Sequence, residues 1–316
     1  MSWSTMPVSR RGLVDTAING EGCTDQVILN QWYPLAAIVE LRPGISYQTV
    51  LLEVEVGFGV TLNGELIAWR LDCVVIPAGN PLPAENFTDK LLVQSAYGYL
   101  WTSLSAEPKE LFSIPETNEP DRRSINVATI GIATSAPRAV ENFLDMGHFP
   151  FVHAGVLGAE PHTEVFDYNV EIKDGEIIAT GCKFPQPQAA PSSVGAIVTD
   201  YIYRVPHPYC VLLYKSGGFD ESRLDVIGLF IQPISQERIR ASMFYSCVDN
   251  ISSDTALRRF QLGIFSQDKP ILENQVPKRL PLSTTAETPI RADKSSITYR
   301  RWLSDLGVTY GVISAN

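Results

Sequence analysis

The chain has 316 residues, 45% of them hydrophobic and 19% charged, a composition that supports one large or two modest globular domains and argues against general disorder. A net charge of −10 and a pI near 5.0 lack the basic footprint that nucleic acid or an anionic membrane surface requires, and no run of about 18 apolar residues offers a transmembrane helix. Five scattered cysteines without a framework spacing fit reduced thiols in a cytoplasmic protein, and no disulfide is expected.

Residues 1–25 read as a flexible leader. Ser9-Arg10-Arg11 has the look of a twin-arginine start, but Asp15, Glu21 and Asp25 deny the following stretch the apolar run an export signal needs. From 26 to 105 the chain reads as an all-β domain, with strands over 47–56, 59–62, 65–71 and 91–104 and a hairpin turn at Asn63-Gly64. Pro77, Pro81 and Pro83 make 76–85 a loop, and the glycosylation sequon Asn86-Phe87-Thr88 has no meaning in a cytosolic chain. Pro108, Pro115 and Pro120, among several acids, mark 106–124 as a linker, leaving 125–316 as a second domain.

A strand to residue 134 leads into a helix beginning near Pro137. At about 100° per residue, Asn142, Asp145 and His148 form one polar column beside an apolar stripe of Val140, Phe143 and Leu144. His153 would point about 140° away from His148 on an unbroken helix; Pro150 is expected to kink or end the helix and bring it round. The pair reads either as two metal ligands or as hydrogen-bonded histidines near a core. Residues 163–183 form a hairpin turning at Asp174-Gly175, and the proline-rich 184–193 is either a rim loop of a site or a surface connection. Strands over 201–204, 209–215, 225–233 and 237–248 are expected to curve around the helices. His162 and His207, each beside a proline, read as loop or surface residues.

The long helix 254–275 places Leu257, Phe260, Ile264, Ile271 and Leu272 within about 60° of one line, and Asp268 lies on that line. A buried carboxylate there needs an arginine, backbone N–H groups or a cation to compensate it. With the two imidazoles it completes a facial triad suited to Fe(II) and O₂ chemistry. The segment 291–312 offers a short helix with Tyr299 and Trp302, packed on this domain or against another subunit.

Asn142-x-x-Asp145-x-x-His148-x-x-x-x-His153, then Gln267-Asp268, then Glu273-Asn274-Gln275-Val276-Pro277, resembles the catalytic domain of Rieske non-haem iron oxygenases. Trp32-Tyr33-Pro34, Tyr97-Gly98-Tyr99-Leu100-Trp101 and Tyr299-Arg300-Arg301-Trp302-Leu303 resemble the vanillate demethylase branch and, within it, the bacterial methylxanthine N-demethylases. The resemblance runs over residues 26–312 and implies an α+β fold: an all-β Rieske-like domain, then a catalytic domain whose curved antiparallel sheet grips helices in a START-like manner. It implies Fe(II) on His148, His153 and Asp268. Asp145, with Asn142 beside it, would carry electrons across a subunit boundary to the histidine ligand.

The family's cluster loops, C-x-H and C-x-x-H, are missing. No histidine precedes His148, so 26–105 reads as a degenerate Rieske-like domain without a [2Fe–2S] cluster. The resemblance then implies the oxygenase component of a multicomponent monooxygenase that uses O₂ to remove an N-methyl group from a small aromatic, methylxanthine-like substrate as formaldehyde. Electrons from NAD(P)H would arrive through a reductase with its own Rieske domain, since the chain has no dinucleotide fingerprint. A trimer, with itself or with a related subunit, is expected. The alternatives are O-demethylation or hydroxylation of another aromatic compound, and a non-catalytic structural subunit. A 2-oxoglutarate oxygenase is disfavoured because the order here is His, His, Asp.

Overall fold

The computed structural model describes residues 22–72, 74–82, 90–191, 195–216, 223–283 and 285–315. Asp25 caps the first helix, α1 (Gln26–Leu29), by accepting the Ile28 N–H, and its other carboxylate oxygen accepts the N–H groups of Thr309 and Tyr310 at 2.6 and 3.0 Å. Residues 22–25 of the expected leader are thus part of the described fold; residues 1–21 lie outside the described residues, as do Cys73 and the sequon at 86–88.

Six short strands follow: β1 (Tyr33–Ala37), β2 (Ser46–Leu51), β3 (Val54–Val60), β4 (Leu66–Arg70), β5 (Leu92–Ala96) and β6 (Tyr99–Ser103). They form two antiparallel sheets, β1-β6-β5 and β2-β3-β4. The β3–β4 turn falls at Asn63-Gly64, as its residues predict. Two other expected strands are hairpins instead. Residues 47–56 reverse at Leu52-Glu53, with φ of 51° and 70°, and residues 91–104 reverse at Tyr97-Gly98, with φ of 52° and 76°. Neither Leu52 nor Glu53 favours positive φ, but their N–H groups donate to Pro233 and Ile234 carbonyls at 2.8 and 3.0 Å, so a distant strand holds the turn.

The remainder is β7 (Arg123–Ile132), α2 (Ala136–Leu144), α3 (Phe149–Val152), β8 (Asn169–Lys173), β9 (Glu176–Gln186), β10 (Ile197–His207), β11 (Cys210–Ser216), β12 (Leu224–Ser235), β13 (Arg238–Cys247), α4 (Asp254–Asn274), β14 (Leu280–Pro281), α5 (Lys294–Leu306) and β15 (Val312–Ile313). Strands β8 to β13 form an antiparallel meander that β7 closes beside β13, giving seven strands in the order β7-β13-β12-β11-β10-β9-β8. The architecture is α+β. β12 is buried along most of its length because both faces of the sheet are covered. On one face Tyr203, Leu213, Ile227 and Tyr245 lie in register and pack with residues of α2, α4 and α5. On the other, Phe230 and Phe244 pack against Tyr99 and Trp101 of β6, with Phe112 and Ile114 from the 106–124 stretch filling the same core. β9 continues through the expected loose stretch as far as Gln186. β10 is likewise longer than expected, because a register shift between Arg204 and His207 accommodates Pro206.

Candidate metal centre

α2 starts as its sequence predicts: Ser135 accepts the Arg138 N–H and proline stands in the first turn. It ends earlier. Asp145 is the C-cap, already extended at φ −82° and ψ 124°, and its Oδ1 accepts the Gly147 N–H at 2.7 Å. The break therefore falls between Leu144 and His148, and Pro150 does not cause it. Pro150 opens α3, where a missing N–H costs nothing. Gly158 lets the next loop close on α3, since a Cβ there would stand 2.7 Å from the Pro150 nitrogen.

This double turn brings His148 and His153 together, with their Nε2 atoms 3.1 Å apart. α4 supplies the third donor: Asp268 Oδ1 lies 3.1 Å from His153 Nε2 and 3.4 Å from His148 Nε2. Each imidazole is held from behind, Nδ1 of His148 against Asp145 Oδ2 at 3.0 Å and Nδ1 of His153 against Gln267 Oε1 at 2.8 Å. Those acceptors keep the proton on Nδ1 and aim the Nε2 lone pairs at one point. Donors about 2.1 Å from one ion and at right angles stand about 3.0 Å apart, close to the spacing seen here. Asp268 Oδ1 is buried without a hydrogen bond of ordinary geometry among the described residues. Burial pulls the His148 pKa down, but Asp145 and Asp268 outweigh it and raise the value to about 9. Burial likewise opposes ionisation of Asp268, and His148 and His153 overcome it, so its pKa is lowered. The centre asks for positive charge, from a proton or from a metal ion. A site of two imidazoles, one carboxylate and an open side fits Fe(II).

Two cavities meet at this point. The first runs from the triad between aromatic and aliphatic walls such as Phe143, Phe149, Tyr203, Leu213 and Phe265. The second is polar and lies behind His148, lined by Asp145, Arg138, Glu141, Glu287 and Arg300 among others. Its charges are knitted together: Arg138 reaches Glu141 at 3.2 Å and Glu287 at 2.6 Å, and Arg300 Nε reaches Glu141 at 2.5 Å. Asn142 and His148 border both cavities and so form the wall between them.

Comparison with known proteins gives this centre a family. The family model described as the vanillate O-demethylase oxygenase C-terminal domain matches residues 132–308. The probable methylxanthine N7-demethylase NdmC of Pseudomonas sp. (strain TJI-51) is 44% identical over 286 residues, covering 90% of this chain and 96% of that protein. The chain belongs to the Rieske-type oxygenases. It is also 27% identical to the methylxanthine N1-demethylase NdmA of Pseudomonas putida, over 85% of this chain and 77% of that one. In fold it matches the structure of Pseudomonas putida CBB5 NdmA with caffeine at a TM-score of 0.71 and 21% identity, covering 88% of this chain and 91% of that one. Dicamba monooxygenase bound to 3,6-dichlorosalicylic acid matches at a TM-score of 0.70 and 16% identity, over 88% and 97%.

Within this Rieske-type oxygenase chain, the residues singled out from sequence separate into those in contact and those apart. His148, His153, Asp268 and Asp145 form one contiguous group, and Asn142 adjoins it as a wall residue. His162 is exposed, as expected. His207 is not a surface residue: it is buried in β10, its Nδ1 accepts the Tyr209 N–H at 2.9 Å, and burial lowers its pKa to about 3. Sequence reasoning missed Gln267 as the partner of His153, although it adjoins Asp268. It also missed four residues that face the apolar cavity: Gln186, Tyr201, Lys215 and Gln261. Lys215 was visible in principle, since it continues the inward phase of Val211 and Leu213 along β11.

Proposed function

We propose that this chain is the oxygenase component of a multicomponent non-haem iron monooxygenase that removes an N-methyl group from a methylxanthine. The observation that carries the reading is the open donor face of His148, His153 and Asp268, set in the wall of a cavity lined by aromatic side chains. In this reading those three side chains hold Fe(II), and bound iron supplies the reductive activation of O₂. The reaction balances as N–CH₃ plus O₂, two electrons and two protons giving N–CH₂OH and water. The carbinolamine C–N bond then breaks, nitrogen takes a proton and formaldehyde leaves. Phe143, Phe149 and Phe265 exclude water and offer faces to a flat heterocycle, while Asn142 separates this space from the polar cavity.

Asp145 keeps the proton on His148 Nδ1 and looks into the polar cavity, which we take as the side where electrons enter. Residues 26–105 are a Rieske-like β domain that lacks the ligands for a cluster, because no histidine precedes His148. Electrons from NAD(P)H therefore come from a reductase that carries its own Rieske domain, docking where a neighbouring subunit's cluster would otherwise sit. A trimer, of this chain or with a related subunit, is the assembly we propose, in the cytoplasm; no helix among the described residues is long and apolar enough to cross a membrane.

The test is formaldehyde release from methylxanthines by the iron-loaded chain with NADH, with and without a Rieske-bearing reductase. Turnover with methylxanthine and only with such a reductase is expected. The family-model match favours a second reading, O-demethylation of another aromatic compound. Formaldehyde from O-methyl aromatics alone would establish that one instead, and stoichiometric acid-labile sulfide would refute the cluster-less domain.

A further inference from the structure

The apolar cavity is lined by polar atoms that, among the described residues, neither the metal centre nor the fold satisfies. Gln186 on β9 has no exposed surface, and its Nε2 has no hydrogen-bond partner among the described residues. Its Oε1 accepts, among the described residues, a single 3.3 Å bond from Thr199 Oγ1. Tyr201 on β10 is 2% exposed, and among the described residues its hydroxyl, with Thr199 the nearby polar group, completes no hydrogen bond of ordinary geometry. Lys215 on β11 stands directly opposite Tyr201 in the ladder, so the two side chains leave the same face of the sheet a few ångströms apart. All three line the cavity.

Lys215 is 5% exposed, and among the described residues its ammonium donates to one acceptor, the Ala189 carbonyl, leaving two N–H groups unassigned there. Its ladder neighbour on the other side is Asp225, which is committed to the Tyr245 hydroxyl at 2.7 Å and makes no ion pair with Lys215 within 4.0 Å among the described residues. Burial lowers the Lys215 pKa to about 8, against the pull of Asp225, which records how little surrounds its charge. Among the described residues, a buried cation with one hydrogen bond, an unpaired amide N–H₂ and a phenol with only Thr199 beside it are costly to a fold that needs only packing there. A ligand with carbonyl oxygens and a ring N–H would satisfy all three.

We propose that Lys215, with Gln186 and Tyr201, reads the oxo and ring N–H edge of the substrate and selects xanthines that keep a free ring N–H over fully N-methylated ones. This rests on the methylxanthine reading above. A ring N–H flanked by carbonyl groups is acidic and spreads its negative charge over the oxygens on ionisation, which supplies the countercharge that Lys215 lacks. A fully N-methylated xanthine offers Lys215 neutral carbonyl oxygens only, has no N–H for the Tyr201 hydroxyl to accept, and cannot ionise.

The test is calorimetric binding of 7-methylxanthine and of caffeine to the iron-loaded protein under anaerobic conditions, so that turnover plays no part. The wild type is expected to prefer 7-methylxanthine. Lys215→Met should weaken 7-methylxanthine at least tenfold and change caffeine less than about threefold, with thermal unfolding confirming a folded variant. Equal losses for both ligands, or no loss for either, would overturn the proposal. If Lys215→Met does not fold, Gln186→Leu takes its place: narrowed selectivity supports the proposal and unchanged selectivity overturns it. A wild type that binds neither xanthine defeats the methylxanthine reading itself. One that binds both, with selectivity indifferent to these substitutions, defeats only the role of Lys215.

Discussion

Asp145 and Asp268 are both carboxylates in contact with His148, yet they stand on opposite sides of the imidazole and should fail differently. Asp268 Oδ1 points at the shared centre with both Nε2 atoms within 3.4 Å, so Asp268→Ala removes a proposed ligand and should empty the site of iron. Asp145 touches Nδ1 at the back, and its Oδ1 accepts the Gly147 N–H. In Asp145→Asn the side-chain carbonyl can still accept one of these bonds, so most of the iron should remain. NADH-driven formaldehyde release should nevertheless fall about 100-fold, while turnover driven by added hydrogen peroxide, which bypasses the reductase, should survive. Iron content and both activities falling together would reduce Asp145 to a device for orienting His148. At this scale the group was legible from spacing, since a carboxylate on an otherwise apolar line needs a compensating charge and two nearby histidines can share a cation with it. Lys215 was harder to read: its phase along β11 matches Val211 and Leu213, but a lysine at a strand end ordinarily turns to solvent, and the ladder and its burial establish that this one faces inward.

The elements carrying these residues were easiest to read where caps and turns mark them. α4 is the clearest, beginning after Ser253, whose side chain accepts the Ala256 N–H at 3.2 Å. Its buried line, though, is Leu257, Gln261, Phe265, Asp268 and Leu272, while Ile271 is 49% exposed. A purely hydrophobic count drifts toward Phe260 and Ile264 because Gln261 turns inward to the cavity and contributes no apolar signal. α2 misleads in the opposite way: a polar column extrapolated to His148 ignores that Asp145 would rather bond its own backbone two residues on than continue a helix. Ser253 is exposed and far along α4 from Asp268, so it separates helix stability from site chemistry. Ser253→Ala should lower unfolding free energy in urea by about 1 kcal/mol and leave iron content unchanged. A loss of iron at native temperature would mean that α4 positions Asp268 only marginally.

For the molecule as a whole, the question is what joins the N-terminal sheets to the seven-stranded sheet. Asp25 ties the start of the described chain to Thr309 and Tyr310 near its end, and the turn at Leu52-Glu53 hangs from the end of β12. The third link is His207, whose ring meets Tyr33 of β1 edge-on at 5.6 Å between centroids. Sequence could not foresee this link, because the register shift that turns His207 inward depends on pairing with β11. Its burial has a consequence for acid stability. With burial, and to a smaller extent the charge of Lys109, lowering its folded pKa to about 3, His207 stays neutral in the native state while the unfolded chain takes up a proton near its ordinary value of about 6.5. Between those values the unfolded state binds more protons, so stability falls as pH falls, and above about 6.5 the contribution is constant. From pH 7.5 to 5 the loss from this residue alone is about 2 kcal/mol, a large part of an ordinary folding free energy. His207→Asn can keep an acceptor for the Tyr209 N–H and removes the titration. It should be less stable than the wild type at pH 7.5 because it forfeits ring contacts with Tyr33, but the gap should narrow by about that amount at pH 5. Every other ionisable group is common to the two proteins and cancels in the difference. Urea unfolding at the two pH values measures it, and a gap that stays constant would mean that the junction opens, and His207 is hydrated, before the rest of the fold gives way.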